Sequence, residues 1–190
     1  MRSIGGFAIF LLLAACTNTP LFPPEAMNGV NNDTVAIKAW KDQVSHPSTN
    51  FASQKVEMEG TIIKVIAKPE GAVILTDGHP TEEDRLFHPE GKAGEDILRF
   101  AIVFNGMVDP GMLQAGNRVV VIGVTDQPAS EVIGWMSRPL PHLRAQCLHI
   151  WKIDESELNR FPYGDMSRAT QEERTFCRKE NIGKPLSTGG

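Results

Sequence analysis

The sequence has few of the residue patterns that mark catalytic sites. Only three of its 190 residues are Cys, and neither CxxC nor CxxCH occurs, which leaves thioredoxin-like redox chemistry and haem attachment without support. No Ser or Cys lies in a nucleophile-elbow context. Asp109 stands before Pro110, so helix capping explains it better than acid catalysis. We therefore predict that the protein is not an enzyme and needs no cofactor.

An excess of positive charge is also missing. The hydrophobic fraction of 41% and the charged fraction of 22% are ordinary for a globular protein. With a formal net charge of -4, the chain has no general attraction for phosphate polymers. Trp40, Trp135 and Trp151 could stack on bases, but the basic patch that accompanies such stacking is absent. We predict core packing or a protein contact for them and no nucleic-acid partner.

Strong hydrophobicity is confined to the N-terminus. Arg2 precedes an uncharged run from Ile4 to Leu13, which is too short for a membrane-spanning helix of about 20 apolar residues. A basic start, a short apolar run and small residues at its end are typical of a secretory signal. We predict that residues 1–15 are a signal peptide and that the mature chain begins at Cys16.

The residues Leu13-Ala14-Ala15-Cys16 resemble the lipobox of bacterial lipoproteins. This resemblance implies that Cys16 carries a diacylglyceryl thioether and an N-acyl group, which would make the membrane its partner. Thr17, rather than Asp, follows the Cys. By resemblance to lipoprotein sorting in Gram-negative bacteria, this implies export to the outer membrane. The alternative is an ordinary signal peptide with a chance Cys near its end.

Two Cys remain after lipidation. In an oxidising periplasm, Cys147 and Cys177 would more often form a disulfide than stay as free thiols. The alternative is a buried Cys147 on a strand and an unrelated Cys177 in the tail.

Changes in composition divide the chain into segments. Residues 16–32 are rich in Pro, Asn and Thr and are predicted to be a lipidated tether, followed by a short helix and linker at 33–50 that Asp33 can cap. The main domain is predicted at 51–153. A polar C-terminal tail follows at 154–190, with one helix predicted over 165–180.

Alternating apolar residues dominate the predicted domain. The alternation slips by one residue next to Gly60, which indicates a bulge. Asp109-Pro110 and Gly116 indicate one or two helical turns. We predict a mainly β fold, a small closed OB-like barrel with a short helix between strands 3 and 4 and helical or irregular terminal extensions. The predicted strands are 56–67, 72–76, 98–104, 118–125, 131–136 and 143–153.

Five segments carry a family resemblance: Arg99-Phe100-Ala101, Gly106 to Pro110, Ala115 to Gly123, Cys147 to Trp151 and, in pattern, Val56 to Ile66. Together they resemble the Slp family of outer-membrane lipoproteins. The resemblance covers Phe51 to Ile153 together with the lipobox. It implies a lipoprotein associated with starvation or stress, an OB-like barrel and no catalytic residues to carry over.

One loop has the residue types of a metal site. Residues 77–96 contain two His and several carboxylates that could bind a divalent cation, although their spacing matches no known ligand motif. A solvated acidic loop is the simpler interpretation. His149, beside Ile150 and Trp151, is predicted to be a packed, hydrogen-bonded residue. The candidate metal ligands are His79, Glu82, Asp84 and His88.

These observations predict a cell-envelope protein that is lipid-anchored to the periplasmic face of the outer membrane. Its predicted role is that of a structural or protein-interaction module with another envelope protein as partner. The alternative is a carrier of a small ligand or metal that uses the barrel mouth and the 77–96 loop. An envelope hydrolase is the least supported alternative.

Overall fold

The computed structural model describes residues 20–48, 51–80, 98–133, 135–153 and 170–178. No helix in these ranges is long and apolar enough to cross a membrane. The described elements are helices α1 (Pro24–Met27) and α2 (Thr34–Asp42) and strands β1 (Lys55–Lys68), β2 (Gly71–Pro80), β3 (Leu98–Phe104), β4 (Arg118–Ile133), β5 (Met136–Ile153) and β6 (Thr170–Cys177).

The strands form one sheet that closes on itself. Their order is β3-β2-β1-β4-β5-β6, and all of these neighbours pair antiparallel. A parallel pairing of β3 with β5, at Ala101 to Val103, joins the two sides into a ring of five strands. Strand β6 lies outside this ring and extends the sheet beyond β5. The mainly β class predicted from the sequence is confirmed.

Strand β1 has the bulge that its sequence pattern predicts. Its register with β2 shifts between Ile62 and Lys64, where the alternation of apolar residues changes phase. Before the bulge, β1 pairs with both β2 and β4. At that crossing Gly60 faces Gly78, and a Cβ on Gly78 would lie 1.9 Å from the carbonyl oxygen of Glu59. Two glycines therefore let the strands approach closely.

The interior of the ring is filled by apolar side chains, and α2 packs against one part of it. Asp33 caps this helix by accepting a hydrogen bond from the Val35 amide at 3.1 Å. Trp40 of α2 is fully buried against Phe100, with ring centroids 5.9 Å apart. The large core residues include Met58, Ile62, Ile74, Phe100, Ile102, Phe104, Leu143 and Leu148.

The predicted helix between the third and fourth strands is wrong. Residues 105–117 form hydrogen-bonded turns, in which Met112 N binds Asp109 O at 2.9 Å and Leu113 N binds Pro110 O at 3.2 Å. The carbonyl of Met112, which would continue a helical ladder, accepts from Asn117 Nδ2 at 2.9 Å instead. This contact returns the chain directly to β4, so the turn does not extend into a helix.

The later strands also differ from the prediction. The predicted strand 131–136 is the tip of one long β4–β5 hairpin. Within 165–180, the described residues contain strand β6 where the sequence predicted a helix. Pairing with the free edge of β5 over seven positions outweighs the weak local helix preference of this polar segment. Five of the six predicted strands therefore correspond to β1 to β5, whereas the predicted strand 131–136 is not a separate strand and β6 was not predicted.

Candidate functional site

The first described residues after Cys16, from Pro20 onward, are packed on the sheet. We call residues 20–32 the N-terminal strap. Phe22 and Ala26 of the strap are each 3% exposed. They join an apolar cluster on the outer face of β4 and β5, whose members from those strands are Val120, Ile122, Cys147 and Trp151.

Polar contacts fix the far end of the strap to β1. Asn31 N donates to Lys55 O at 2.8 Å, and the Asn32 side chain accepts from Glu57 N at 2.9 Å. The ammonium of Lys55 donates to Asn28 O at 2.9 Å. These bonds satisfy backbone groups on both partners, so the strap is part of the folded domain.

The predicted tether at 16–32 therefore needs correction for its described part. Pro24 stands at the start of α1, where the fixed φ of proline favours a helical turn. This turn places Phe22 and Ala26 on the sheet side, and burial of a Phe side chain contributes about 1.5–3 kcal/mol. A Pro-rich segment that contains a well-placed aromatic residue docks instead of remaining a free linker. Residues 16–19 lie outside the described residues.

A disulfide bond lies at the edge of the same cluster. Cys147 of β5 and Cys177 of β6 are directly opposite in register, and their sulfur atoms are 2.04 Å apart. Cys147 is fully buried. The bond holds β6 against the ring, and β6 in turn contacts the strap, since Thr175 Oγ1 donates to Leu21 O at 3.1 Å.

His149 connects β5, β6 and the strap. Its Nδ1 is 2.7 Å from Thr175 Oγ1. Because the single hydroxyl proton of Thr175 goes to Leu21 O, the network assigns the imidazole proton to Nδ1. The Phe22 ring meets the imidazole edge-on, at 6.4 Å between centroids. The predicted packed and hydrogen-bonded role of His149 agrees with this geometry.

The second nitrogen of His149 faces an acidic group. Nε2 is buried, makes no hydrogen bond within the described part of the chain, and lies 3.7 Å from the Glu173 carboxylate. That carboxylate accepts from Trp151 Nε1 at 2.8 Å. Burial lowers the pKa of His149, while Glu173 opposes this shift. The cluster thus holds a neutral imidazole in a structural network.

The family model for the outer membrane lipoprotein Slp family matches residues 13–177, which is most of the sequence. The chain belongs to the Slp family. The predicted resemblance is confirmed, and the protein is an outer membrane lipoprotein by family.

The matched region of this Slp protein runs from the predicted lipobox to the second Cys of the disulfide. It therefore includes the strap and β6, which the predicted domain boundaries 51–153 leave out. Searches among curated proteins and among solved structures found no significant match. Cys16 itself lies outside the described residues, so its lipidation stays a prediction.

The predicted metal site is only partly within the described residues. His79 lies near the end of β2, and its Nε2 is 3.2 Å from the buried carboxylate of Glu59 on β1. Among the described residues, no group of three His, Cys, Asp or Glu side chains is arranged to hold a metal ion. Glu82, Asp84 and His88 lie outside the described residues. The metal-binding alternative stays a prediction without a test.

Sequence reasoning did not anticipate the tip of the β4–β5 hairpin. Trp135 is 89% exposed there, and Val132 beside it is 52% exposed. Trp40 and Trp151 are buried, so only those two of the three Trp residues follow the core-packing prediction. The sequence signal for the tip is the run of apolar residues around Gly134, which by itself predicts a separate strand.

The base of this hairpin contains a second buried His. His142 Nε2 lies 3.3 Å from a Glu131 carboxylate oxygen, and both side chains are largely buried. Nε2 of His142 is buried and has no hydrogen-bond partner among the described residues. Burial lowers the pKa of His142, and the charges of Glu131 and Asp126 oppose the shift. The contact joins β4 to β5 where the hairpin leaves the ring.

Acidification is expected to destabilise the protein. Since the pKa values of His142 and His149 are lowered from 6.5, the unfolded chain binds more protons than the folded protein just below pH 6.5. Their contribution to stability is present above pH 6.5 and is lost as the pH falls through the lowered pKa values. Thermal unfolding should therefore occur at a lower temperature at about pH 5 than at about pH 7.5.

A His149→Asn variant tests this assignment, because the Asn amide nitrogen can take the position of Nδ1 and donate to Thr175 but does not titrate. The variant should lose part of the pH dependence that the wild-type protein shows. The pKa of Glu57, raised by burial and by Glu59, shifts stability with pH in the opposite direction, so the variant must be compared with wild type at each pH. Identical pH dependence in His149→Asn and wild type would show that this imidazole does not contribute.

Proposed function

We propose that the mature protein begins at Cys16 and is held at the periplasmic face of the outer membrane by acyl chains on that residue. Residues 1–15 would act as the signal peptide, and palmitate would be among the attached acyl groups. The observation that carries this proposal is the family match, which starts at Leu13 and so includes the lipobox. The docked strap supports it, because the folded domain begins within a few residues of Cys16.

We further propose that the domain is an OB-like closed barrel. The ring order β1-β2-β3-β5-β4, with β1 shared between two partners across a bulge, supports this assignment. The missing helix between β3 and β4 does not prevent ring closure, since Met112 of the turn segment is buried in the core.

The proposed role is that of a structural or protein-interaction module without catalytic activity. The described polar residues that could suggest chemistry have structural partners: His149 binds Thr175, and Asp109 binds the Gly111 amide and Arg174. Trp135 is exposed, and Trp is enriched among the residues that contribute most binding energy at protein contacts. The association with starvation or stress is proposed on the family resemblance alone.

A Cys16→Ser variant tests the anchor. We expect the wild-type protein to incorporate labelled palmitate and to fractionate with the outer membrane. The variant should incorporate none and should be lost from the outer-membrane fraction, because no thioether can form on a serine hydroxyl.

Thr17→Asp is the matched control for location. It leaves the thiol intact and should still incorporate palmitate, but it should move from the outer to the inner membrane. Palmitate on the Cys16→Ser protein, or a mature N-terminus other than residue 16, would refute the anchor. Copurification of one discrete envelope protein with wild type would support the interaction role.

A further inference from the structure

We infer that the wall of the domain that carries the N-terminal strap and β6 lies against the lipid headgroups, and that the Trp135 hairpin tip is held on the side away from the membrane. This inference rests on the proposed lipidation of Cys16. It goes beyond that proposal because it assigns a lipid-facing surface and a fixed orientation to the folded domain.

Only a short length of chain separates the lipid attachment from the folded domain. Cys16 and Pro20 are four residues apart, and consecutive Cα atoms are 3.80 Å apart, so this segment reaches at most about 15 Å. From Leu21 onward the chain is fixed: Leu21 O accepts from Thr175 of β6, and Phe22 is buried.

This reach is short compared with the diameter of the domain. A compact unit of about 120 residues is roughly 35 Å across. Since the lipid attachment must lie at the bilayer surface, a reach of about 15 Å keeps the strap and β6 near that surface. It is too short for the opposite side of the domain to turn toward the same membrane.

The hairpin tip lies on a different side of the ring from the strap. The strap covers the outer face of β4 and β5 with Phe22 and Ala26. The hairpin residues Ile133 and Leu140 pack instead with Val73, Leu75 and Ala101, which belong to β2 and β3. The inner faces of both pairs of strands share the central core. The strand pair β2–β3 meets the pair β4–β5 only where β3 pairs with β5, so the two apolar clusters face outward on different sides of the ring.

The chemistry of the strap side suits a polar lipid surface. The outward residues Glu25, Met27 and Asn28 are exposed, and β6 presents Glu173 and Arg174. Charges of both signs and an amide can remain hydrated among headgroups, so this wall needs no insertion into the hydrocarbon core. The acyl chains supply the affinity, and the short connection supplies the orientation.

Two variants of the full-length lipidated protein, each with one introduced Cys, test the orientation. Asn28→Cys lies on the strap and Ser137→Cys lies next to the hairpin tip, and both positions are exposed. The natural Cys147 and Cys177 are joined to each other, so only the introduced thiol should react with a fluorescent label. The labelled proteins are then reconstituted into phosphatidylcholine vesicles that contain nitroxide on the lipid headgroup.

We expect the nitroxide lipids to quench the label at position 28 strongly and the label at position 137 little. A spacer of about 12 Gly and Ser residues between Thr19 and Pro20, which spans roughly 19 Å on average, should reduce the quenching at position 28. The spacer variant should still float with the vesicles, since its anchor is unchanged.

The possible failures are distinguishable. Protein that floats with vesicles but shows equal quenching at both positions would overturn the orientation and leave the lipid anchor standing. Stronger quenching at position 137 would place the Trp135 tip against the bilayer and would also overturn it. Protein that does not float at all would refute the lipid anchor and, with it, the inference.

Discussion

Replacing Trp40 by Ala is expected to lower the free energy of unfolding by about 3–5 kcal/mol. Trp40 is fully buried in the core and packs on Phe100. Its indole Nε1 also donates to Asp126 O at 3.2 Å, so truncation leaves this carbonyl without that donor. Because α2 contributes just one other buried side chain, Ile37, loss of Trp40 should detach the helix from the ring. Urea unfolding followed by circular dichroism measures the change.

Trp135→Ala is the matched control, since it removes the same side chain from a position that is 89% exposed. It should change the free energy of unfolding by less than about 0.5 kcal/mol. Equal losses in the two variants would mean that the hairpin tip is packed in solution or that Trp40 is not part of the core. The same Trp135→Ala protein can serve in the copurification experiment, where loss of a partner at unchanged stability would assign the tip to binding.

Features that depend on local sequence could be predicted. The β1 bulge follows from a change in alternation within a few residues, and the α2 cap follows from Asp33 standing before a helical stripe. The lipobox resemblance is also local, and the family match extends over it. In each of these cases the residues that determine the feature are neighbours in the chain.

Features that depend on contacts between distant residues could not be predicted from the sequence. Strand β6 is polar, and only its pairing with β5 makes it a strand. The strap looked like a free linker because its composition is dominated by Pro and Asn, and the cluster that receives Phe22 comes from residues about 100 or more positions away. The turn after Asp109 has good helix-start residues, but Asn117 closes it before a helix forms. Sequence patterns describe the local preference for helix, strand or loop, and in these three segments tertiary contacts determine the structure instead.

In the candidate site, too, some features could be predicted from the sequence and others depend on distant contacts. The number of Cys residues and the oxidising compartment predict a Cys147–Cys177 disulfide, and the structure places these residues opposite each other in register. The role of His149 as a junction of three segments could not be predicted, because Thr175 and Leu21 are 26 and 128 positions away in sequence. The sequence predicts that His149 is packed, but its partners can be identified only from the fold.

Removing the disulfide is expected to have the second large effect. The double variant Cys147→Ala, Cys177→Ala opens a loop with a sequence separation of 30 residues, which should lower the free energy of unfolding by about 3–4 kcal/mol. The double replacement avoids a free thiol in the buried position of Cys147. Urea unfolding under non-reducing conditions, compared with wild type, measures this change.

The loss should also be local, because β6 lies outside the ring and contacts β5 on one side. Release of β6 removes the Thr175 contacts to Leu21 and His149, so the beginning of the strap should loosen with it. Hydrogen exchange should therefore increase in residues 170–178 and around Leu21, while β1 to β3 remain protected. Cys16→Ser, which keeps the disulfide, is the control and should match wild type in both measurements. Uniform exchange across all strands of the double variant would show instead that the ring cannot fold without the bond, and unchanged exchange at Leu21 would show that the strap does not depend on β6.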